Sequence, residues 1–486
     1  GVPSPAAATR DAGTATADAA DLRLRAIADA EYQWRHADAP GQQRASNRLE
    51  DVGEAAQQAR LAGWQQVLAE LDRIDTTQLS AEGKVDYAVY RAQILDLIDA
   101  VEQRSYQMPF NSDSSFWSNL GFMARRPLTT AQQAQDYIAL LQDVPRHFGQ
   151  QIDNMRAGLA RGFSVPRAVL DGREVSIAAV ARLQDPTASP LYGPLQRLPA
   201  SIPQAQREQL QRQGQAAIAG SVIPAYRQLL AFFQDEYVPQ ARTSLAAEAM
   251  PGGEAFYRSQ IRQYTTLDLT PEQIHQIGLD EVARIRAEME TVIDASGFQG
   301  RSRETRFADF LHFLRTDEQF YAKTPEQLLH HAAWIAKRVD AVIGRYVTLP
   351  RARFTIVPVP EDIAPFWTAG RGGMGTYWVN TYGLPSRPLY NLPALTLHES
   401  DPGHAAGRRA GGAAGLAARQ LHLRLWRRLG PVYREARRGD GHLPDPVRGL
   451  RPADLRNVAC GAAGDRYRCA PLRLEPRTGP GLPARQ

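Results

Sequence analysis

The densest group of chemically reactive side chains in the sequence is Leu397-His398-Glu399-Ser400-Asp401-Pro402-Gly403-His404. Imidazole and carboxylate groups are the usual ligands of catalytic zinc, which keeps one coordination position open for water. A glutamate beside such ligands can take a proton from that water as a general base. The segment is therefore a candidate for metal-assisted hydrolysis.

The spacing of the two histidines differs from that of the common H-E-x-x-H helix, in which the ligands are four residues apart. His404 follows His398 by six residues, which corresponds to a rotation of about 600° on a straight helix, so the two side chains would point roughly 120° apart. Pro402-Gly403 could break the helix and bring His404 back towards His398. The alternative is a helix that ends there with two surface histidines.

Most of the first 404 residues show the apolar spacing that is typical of amphipathic helices. The segments predicted as helices are 21–37, 50–73, 80–104, 130–161 and 204–235. Two further helices are predicted from identical starts, Thr270-Pro-Glu-Gln and Thr324-Pro-Glu-Gln, in which Thr is the N-cap and Gln can complete a capping box.

The pattern changes near residue 350 to β-type runs at Arg353–Val359 and Gly375–Asn380, with a glycine-rich loop predicted at Gly370–Gly375. A last helix should begin at Asn391 and run into the reactive segment. The expected fold is mainly α, with a small β-sheet near 350–382. An edge strand of such a sheet can hold an extended substrate beside a catalytic helix.

Several blocks of the sequence are similar to one bacterial family, known as domain of unknown function 885. The core blocks are Gly375-Thr-Tyr-Trp-Val-Asn380-Thr-Tyr382-Gly-Leu-Pro-Ser-Arg387-Pro and Leu395-Thr-Leu-His398-Glu399-Ser-Asp-Pro402-Gly403-His404. The upstream blocks are Met155-Arg-Ala-Gly-Leu-Ala-Arg-Gly-Phe163, Met250-Pro-Gly-Gly-Glu-Ala-Phe-Tyr257 and Leu269-Thr-Pro-Glu-Gln-Ile-His275-Gln-Ile-Gly278. The resemblance covers roughly residues 20–404.

This resemblance implies a zincin-like metallopeptidase with a mostly helical, thermolysin-related architecture. It implies one zinc ion with His398 and His404 as ligands, Glu399 as the general base, and a peptide as the substrate. The oligomeric state cannot be inferred from the sequence.

Four polar side chains near the second predicted strand are candidates for substrate binding. Tyr377 and Asn380 could bond a peptide backbone, and Tyr382 or Arg387 could bind a peptide terminus. A structural role is open for each of them.

After His404 the sequence departs from the family. The family continues with a helical region bearing a Gly-Glu-Gly-Trp-type segment, whose Glu supplies the third ligand. Residues 405–486 contain only two glutamates, Glu435 and Glu475, and no such segment. With two of three ligands, zinc affinity should fall severely. We therefore expect a peptidase-like hydrolase whose present C-terminus lacks a residue that catalysis needs. The alternative is a non-catalytic peptide-binding or scaffold protein on the same fold.

The C-terminal segment also differs in composition. It holds 17 Arg and no Lys against four Asp and two Glu, which gives a net charge of +11. Since the whole chain has a net charge of +5, the first 404 residues have a net charge of −6. Ala, Gly, Pro and Arg, whose codons are rich in G and C, supply 51 of its 82 residues. An out-of-frame reading of a GC-rich gene would give this mixture; a basic disordered tail and a real helical segment are the alternatives.

The excess of positive charge is confined to this segment, so the first 404 residues give no indication of nucleic-acid binding. The Arg-rich tail itself could bind a nucleic acid, which is a further alternative. Cys460 and Cys469 are nine residues apart with no His at zinc-finger spacing, and they support neither a zinc site nor a disulfide.

We expect three regions: a small, polar and flexible leader over 1–20, a helical domain over 21–404 and the tail. Such a leader often follows an export signal, which predicts a periplasmic or secreted protein; a lipid anchor before processing is an open alternative. No stretch approaches 18 consecutive apolar residues, so no membrane-spanning helix is expected.

Overall fold

The structure, a computed structural model, describes residues 5–35, 47–111, 114–343, 354–361, 364–373 and 375–400. The chain divides into two compact units, with the boundary between Asp268 and Leu269. The helical domain that the sequence predicts over 21–404 spans this boundary. His404, Cys460, Cys469 and the whole segment 405–486 lie outside the described residues.

The described part of the first unit is helical. Its α-helices are α1 (Pro5–Arg35), α2 (Glu54–Leu71), α3 (Ala81–Glu102), α4 (Phe116–Met123), α5 (Ala131–Ala160), α6 (Glu174–Ala181), α7 (Gly193–Gln196), α8 (Gln204–Ala217), α9 (Ile223–Phe232), α10 (Val238–Gln240) and α11 (Gly253–Thr265). The four helices predicted between 50 and 235 are confirmed to within a few residues at most ends. The predicted leader, residues 1–20, overlaps the first part of α1.

The core of the first unit forms around α5, which buries Val144, Phe148 and Met155 against α8 and α9. Two π-helical turns, Ile218–Val222 and Phe233–Tyr237, join α8, α9 and α10 into one long helical segment. Each turn is followed closely by a proline, at Pro224 and Pro239. The proline ring clashes with the carbonyl four residues earlier, which a locally widened helix relieves.

The same helical segment, Gln204–Gln240, is long and apolar enough to cross a membrane by length and composition alone. Half of its most apolar window is buried inside the protein, as in a core helix of a soluble domain. This is weak evidence for a membrane span, and we describe the segment as a core helix.

The described part of the second unit contains α12 (Pro271–Ser296), α13 (Arg306–Thr316), α14 (Pro325–Ile343) and α15 (Leu392–Glu399). The predicted capping box of α12 is confirmed: Thr270 Oγ1 accepts a hydrogen bond from the N–H of Gln273, and Gln273 Oε1 accepts one from the N–H of Thr270. At α14 the Thr324 cap is also present, but Gln327 accepts from the N–H of Lys323 instead.

A three-stranded sheet precedes α15, with the strands β1 (Thr355–Pro358), β2 (Arg371–Gly373) and β3 (Thr376–Val379) in the order β1-β3-β2. The central strand β3 is parallel to β1 and antiparallel to β2. The predicted mainly helical fold with a small sheet is confirmed. The glycine-rich loop predicted at Gly370–Gly375 is wrong in part, because Arg371–Gly373 pairs with β3 as an edge strand of the described sheet.

The helix α15 packs on α14 and on the sheet. Leu392 of α15 joins Leu328 and Ala332 of α14 and Tyr377 and Val379 of β3 in one buried cluster. The position of α15 is therefore set by apolar side chains at its beginning, while its C-terminal end carries the reactive residues.

Candidate functional site

The helix α15 begins as the sequence predicts and ends at Glu399. Pro393 lies in its first turn, where its missing N–H costs no hydrogen bond. Asn391 occupies the N-cap position, although its side chain makes no capping hydrogen bond. At the other end, the N–H of Ser400 donates to the carbonyl of Thr396, and the backbone of Ser400 has left the helical conformation.

The carboxyl group of Glu399 is buried at the end of α15. The residue is 8% exposed, and the N–H of Gly372 donates a hydrogen bond of 2.5 Å to its Oε2 atom. Burial raises the pKa of Glu399 to about 7, against the opposing effects of the Gly372 N–H and the positive charge of Arg371. A carboxyl group with a pKa near neutrality can both accept and return a proton, which is what a general base in hydrolysis must do.

Gly372 is the residue that lets β2 approach α15 closely. A Cβ atom at this position would lie 1.9 Å from the carbonyl oxygen of Glu399 and 2.6 Å from its carbonyl carbon. Gly370 is similar, because a Cβ there would lie 2.6 Å from the carbonyl oxygen of Trp378. Gly370 and Gly372 therefore allow main-chain atoms to approach closely on both sides of β2. The N–H of Gly372 is also a hydrogen-bond donor of the site that the sequence pattern does not indicate.

His398 lies beside the Glu399 carboxyl group. Its Nε2 atom is 3.9 Å from Oε1 of Glu399, which is too long for a hydrogen bond but brings the two groups to the same end of the helix. About a third of the His398 side chain is exposed. The structure thus brings together two of the three predicted site residues, and the third, His404, lies outside the described residues.

Tyr377 lies behind this group of residues. It is opposite Gly372 in the β2–β3 register, and it is 0% exposed. Burial raises the pKa of Tyr377, the nearby Thr396 hydroxyl opposes this, and the charge of Glu399 adds to it. Tyr377 is therefore buried on the side of the Glu399 carboxyl group that faces the protein interior. Its predicted contact with a substrate stays a prediction.

The side chains of Asn380 and Arg387 make hydrogen bonds that position the chain after β3. The side-chain amide of Asn380 donates to the carbonyls of Ala364 and Trp367, at 2.9 and 2.6 Å, and its oxygen accepts from the N–H of Tyr382 at 3.0 Å. The guanidinium of Arg387 donates to the carbonyl of Tyr382 at 3.1 Å, and also to main-chain carbonyls of 367–368. Both side chains hold the loops together.

Tyr382 differs from the other three candidates because 57% of the residue is exposed. Its side chain is the one of the four that offers a large free surface to a substrate. The predicted substrate-binding roles of all four residues stay predictions.

The family resemblance implies a zinc ion beside these side chains. Catalytic zinc takes three protein ligands, drawn from His, Cys, Asp and Glu, and a water. Within the residues that the structure describes, no group of three such side chains could hold a metal. His398 and Glu399 alone do not complete such a donor set.

These observations define a mainly helical protein with a buried carboxyl group of raised pKa at the end of a helix. A sequence model of the family described as "Bacterial protein of unknown function (DUF885)" matches residues 36–432, and the chain therefore belongs to this family. The match extends beyond His404, where the sequence predicts that the resemblance ends. No curated protein matches the chain.

The fold is similar to that of a solved structure, "The crystal structure of the putative lipoprotein from Colwellia psychrerythraea". The TM-score is 0.67 at 20% sequence identity, and the similarity covers 86% of this chain and 75% of that one. At this identity the likeness shows the fold alone.

Proposed function

We propose that this protein is a zinc-dependent peptidase-like hydrolase in which Glu399 is the general base. The observation that carries the proposal is the placement of Glu399: its buried carboxyl group accepts a hydrogen bond from Gly372 and lies 3.9 Å from Nε2 of His398. Burial, a backbone donor and an adjacent imidazole are typical surroundings of a carboxyl group that transfers protons.

The proposed role of Glu399 is proton transfer in two directions. Its carboxylate takes a proton from the water that attacks the peptide carbonyl, and its acid form returns the proton to the amine that leaves. A pKa of about 7 suits both steps at neutral pH. The N–H of Gly372 holds the carboxylate in one orientation between the two transfers.

An extended peptide is the substrate that the sheet supports best. Strand β2 has β3 as its partner in the described sheet and is an edge strand there. Extended peptides bind such edges through main-chain hydrogen bonds. Because the N–H of Gly372 donates to Glu399, a peptide along Arg371–Gly373 would use the other main-chain groups of this edge and would lie close to the proposed base.

The second candidate function is a non-catalytic peptide-binding or scaffold protein on the same fold. It is favoured by the lack of a Gly-Glu-Gly-Trp-type segment in 405–486, because the family resemblance implies that the Glu of this segment is the third ligand. In that case the edge strand would bind peptides, and Glu399 would transfer no proton.

Two measurements on the full chain separate these functions: zinc per chain by mass spectrometry after dialysis against buffered zinc, and the fate of a mixed peptide pool. The first function requires a third zinc ligand from outside the described residues, and it then predicts bound zinc and cleaved peptides. Peptides that bind and are recovered intact, from protein without zinc, would establish the second function instead.

We further propose that the protein is periplasmic or secreted. The small and polar composition of residues 1–20 supports this, and so does the similarity in fold to a protein described as a putative lipoprotein. Fractionation of cells that express the full-length gene tests it, since recovery with the cytosolic marker would contradict the proposal.

A further inference from the structure

Two of the blocks that carry the family resemblance meet in the first unit and are not used by the Glu399 site. They line a cavity of about 170 Å³. The block 155–163 supplies Arg161 and Phe163, and the block 250–257 supplies Phe256. The rings of Phe163 and Phe256 meet edge to face at 5.1 Å and form an apolar wall.

Close backbone contacts fix the shape of this cavity. Gly162 has a φ of 72°, a left-handed conformation, and a Cβ atom there would lie 3.3 Å from Cδ of Pro251. A Cβ atom at Gly158 would lie 2.7 Å from the carbonyl oxygen of Phe163 and 2.8 Å from that of Gln107. The glycines of the first block thus allow the chain to turn tightly where it meets the second.

Arg161 is held in place on one wall. Its guanidinium lies 3.9 Å from the centre of the Phe163 ring, Nε donates to Oε1 of Gln107 at 2.6 Å, and Nη2 donates to the carbonyl of Gln103 at 3.1 Å. A guanidinium fixed in this way binds an anion with little further loss of side-chain freedom.

Arg104 supplies a second positive charge to the same cavity. It follows the end of α3, with a φ of 56°, and among the described residues its guanidinium makes no hydrogen bond or ion pair. Burial lowers the pKa of Arg161, and the charge of Arg104 lowers it further, as expected of two cations held near each other. Glu102 also lines the cavity, so the group of three charged side chains has a net charge of about +1 at neutral pH.

We propose that this cavity is a binding site for a small anionic group, a carboxylate or a phosphate, held by Arg104 and Arg161. Guanidinium groups bind both anions through paired, charge-assisted hydrogen bonds. A bound anion would relieve the repulsion between the two arginines, and the phenylalanine rings would shield it from water on one side. The volume admits a single such group with a short substituent.

The test is calorimetric titration of the full chain with inorganic phosphate at constant ionic strength. A second arm uses an N-acetylated dipeptide with a free C-terminal carboxylate and its amidated form, and it distinguishes a phosphate from a peptide carboxylate as the ligand. The proposal predicts one site per chain for phosphate or for the free carboxylate, and no binding of the amide.

The informative variant is Arg104→Asn, because Asn tolerates the left-handed backbone and the fold should be retained. It should weaken binding at least about tenfold. The control is Arg212→Gln, which removes an exposed arginine of the same unit that does not line the cavity and should leave binding unchanged. Arg161→Lys keeps the charge without the fork and should weaken binding less than Arg104→Asn.

Failure of both anions to bind at millimolar concentration would overturn the proposal. Equal weakening by Arg104→Asn and Arg212→Gln would also overturn it, because binding would then depend on the general charge of the protein.

Discussion

The N–H of Gly372 donates a hydrogen bond to Oε2 of Glu399, across 27 residues of sequence. The bond joins an edge strand to the C-terminal end of the helix that carries the reactive residues. It holds a buried carboxyl group whose pKa is raised to about 7. The proposed chemistry therefore depends on a glycine as much as on the glutamate.

The first prediction concerns Gly372. In Gly372→Ala the new methyl group meets the backbone of Glu399 at 1.9 Å, so β2 and α15 must separate. We expect a loss of about 1–3 kcal/mol in the free energy of unfolding, measured with urea. Gly373→Ala is a matched control, because a Cβ atom at Gly373 meets nothing within 4 Å. Equal effects of the two substitutions would contradict the close contact.

The importance of Gly372 could not be predicted from the sequence. The segment Gly370–Gly375 lacks β-forming side chains, so its pattern indicates a loop. Its strand conformation comes from pairing with β3, a neighbour that local propensity does not describe. Strands β1 and β3 were predictable because they are rich in Val, Ile, Thr and aromatic residues.

The candidate site was predictable in part for a similar reason. His398 and Glu399 are adjacent in the sequence, and their chemistry can be inferred from residue type. Asn380 and Arg387 make contacts with main-chain carbonyls 13 to 20 residues away, which no motif indicates. The helices of the first unit followed from apolar spacing and caps, since those signals are local.

The second prediction is a pH dependence of stability. The pKa of Glu399 is about 7 in the folded protein and 4.5 for an ordinary Glu side chain. Between these values the folded protein keeps a proton that the unfolded chain has released, so the free energy of unfolding should fall as the pH rises from about 4.5 to 7. The fall attributable to Glu399 should be on the order of 3 kcal/mol.

This dependence is best measured by urea unfolding of chelator-treated protein, with Glu399→Gln for comparison. The variant cannot titrate at this position, so the difference between the two proteins isolates Glu399. Parallel curves for wild type and variant would show that the carboxyl group has an ordinary pKa.

The third prediction decides between the two roles open for Asn380. The residue is 2% exposed, and both of its N–H groups bond main-chain carbonyls. Asn380→Asp keeps the size but removes both donors, and it should lower the free energy of unfolding by about 2 kcal/mol or more. A variant with unchanged stability and a raised KM for peptides would instead identify a substrate contact.

The fourth prediction concerns the reading frame of the gene after His404. Trp426 has the single codon TGG, so a frame that begins one nucleotide later in each codon reads Gly there, whichever Arg codon follows. The same frame permits Phe, Glu, Gly and Trp from the codons of Leu425, Arg427, Arg428 and Leu429. The codons for residues 425–430 therefore allow Phe-Gly-Glu-Gly-Trp, the type of segment that the family resemblance places after His404.

Nucleotide sequencing checks this directly. In this frame the segment Gly-Glu-Gly-Trp requires an Arg427 codon that ends in A, followed by AGG for Arg428 and CTG or TTG for Leu429. Any other codons at these three positions would exclude the segment in that frame.

The measurement that tests the central claim most directly is the rate of peptide hydrolysis by wild-type protein and by Glu399→Gln, with zinc supplied to both. Glu361→Gln, which changes an exposed carboxyl group of the same unit, serves as the control. If Glu399 is the general base, its loss should lower the rate by about a hundredfold or more, and Glu361→Gln should have no effect. A rate that Glu399→Gln leaves unchanged, or the absence of hydrolysis by zinc-bound wild-type protein, would contradict the account.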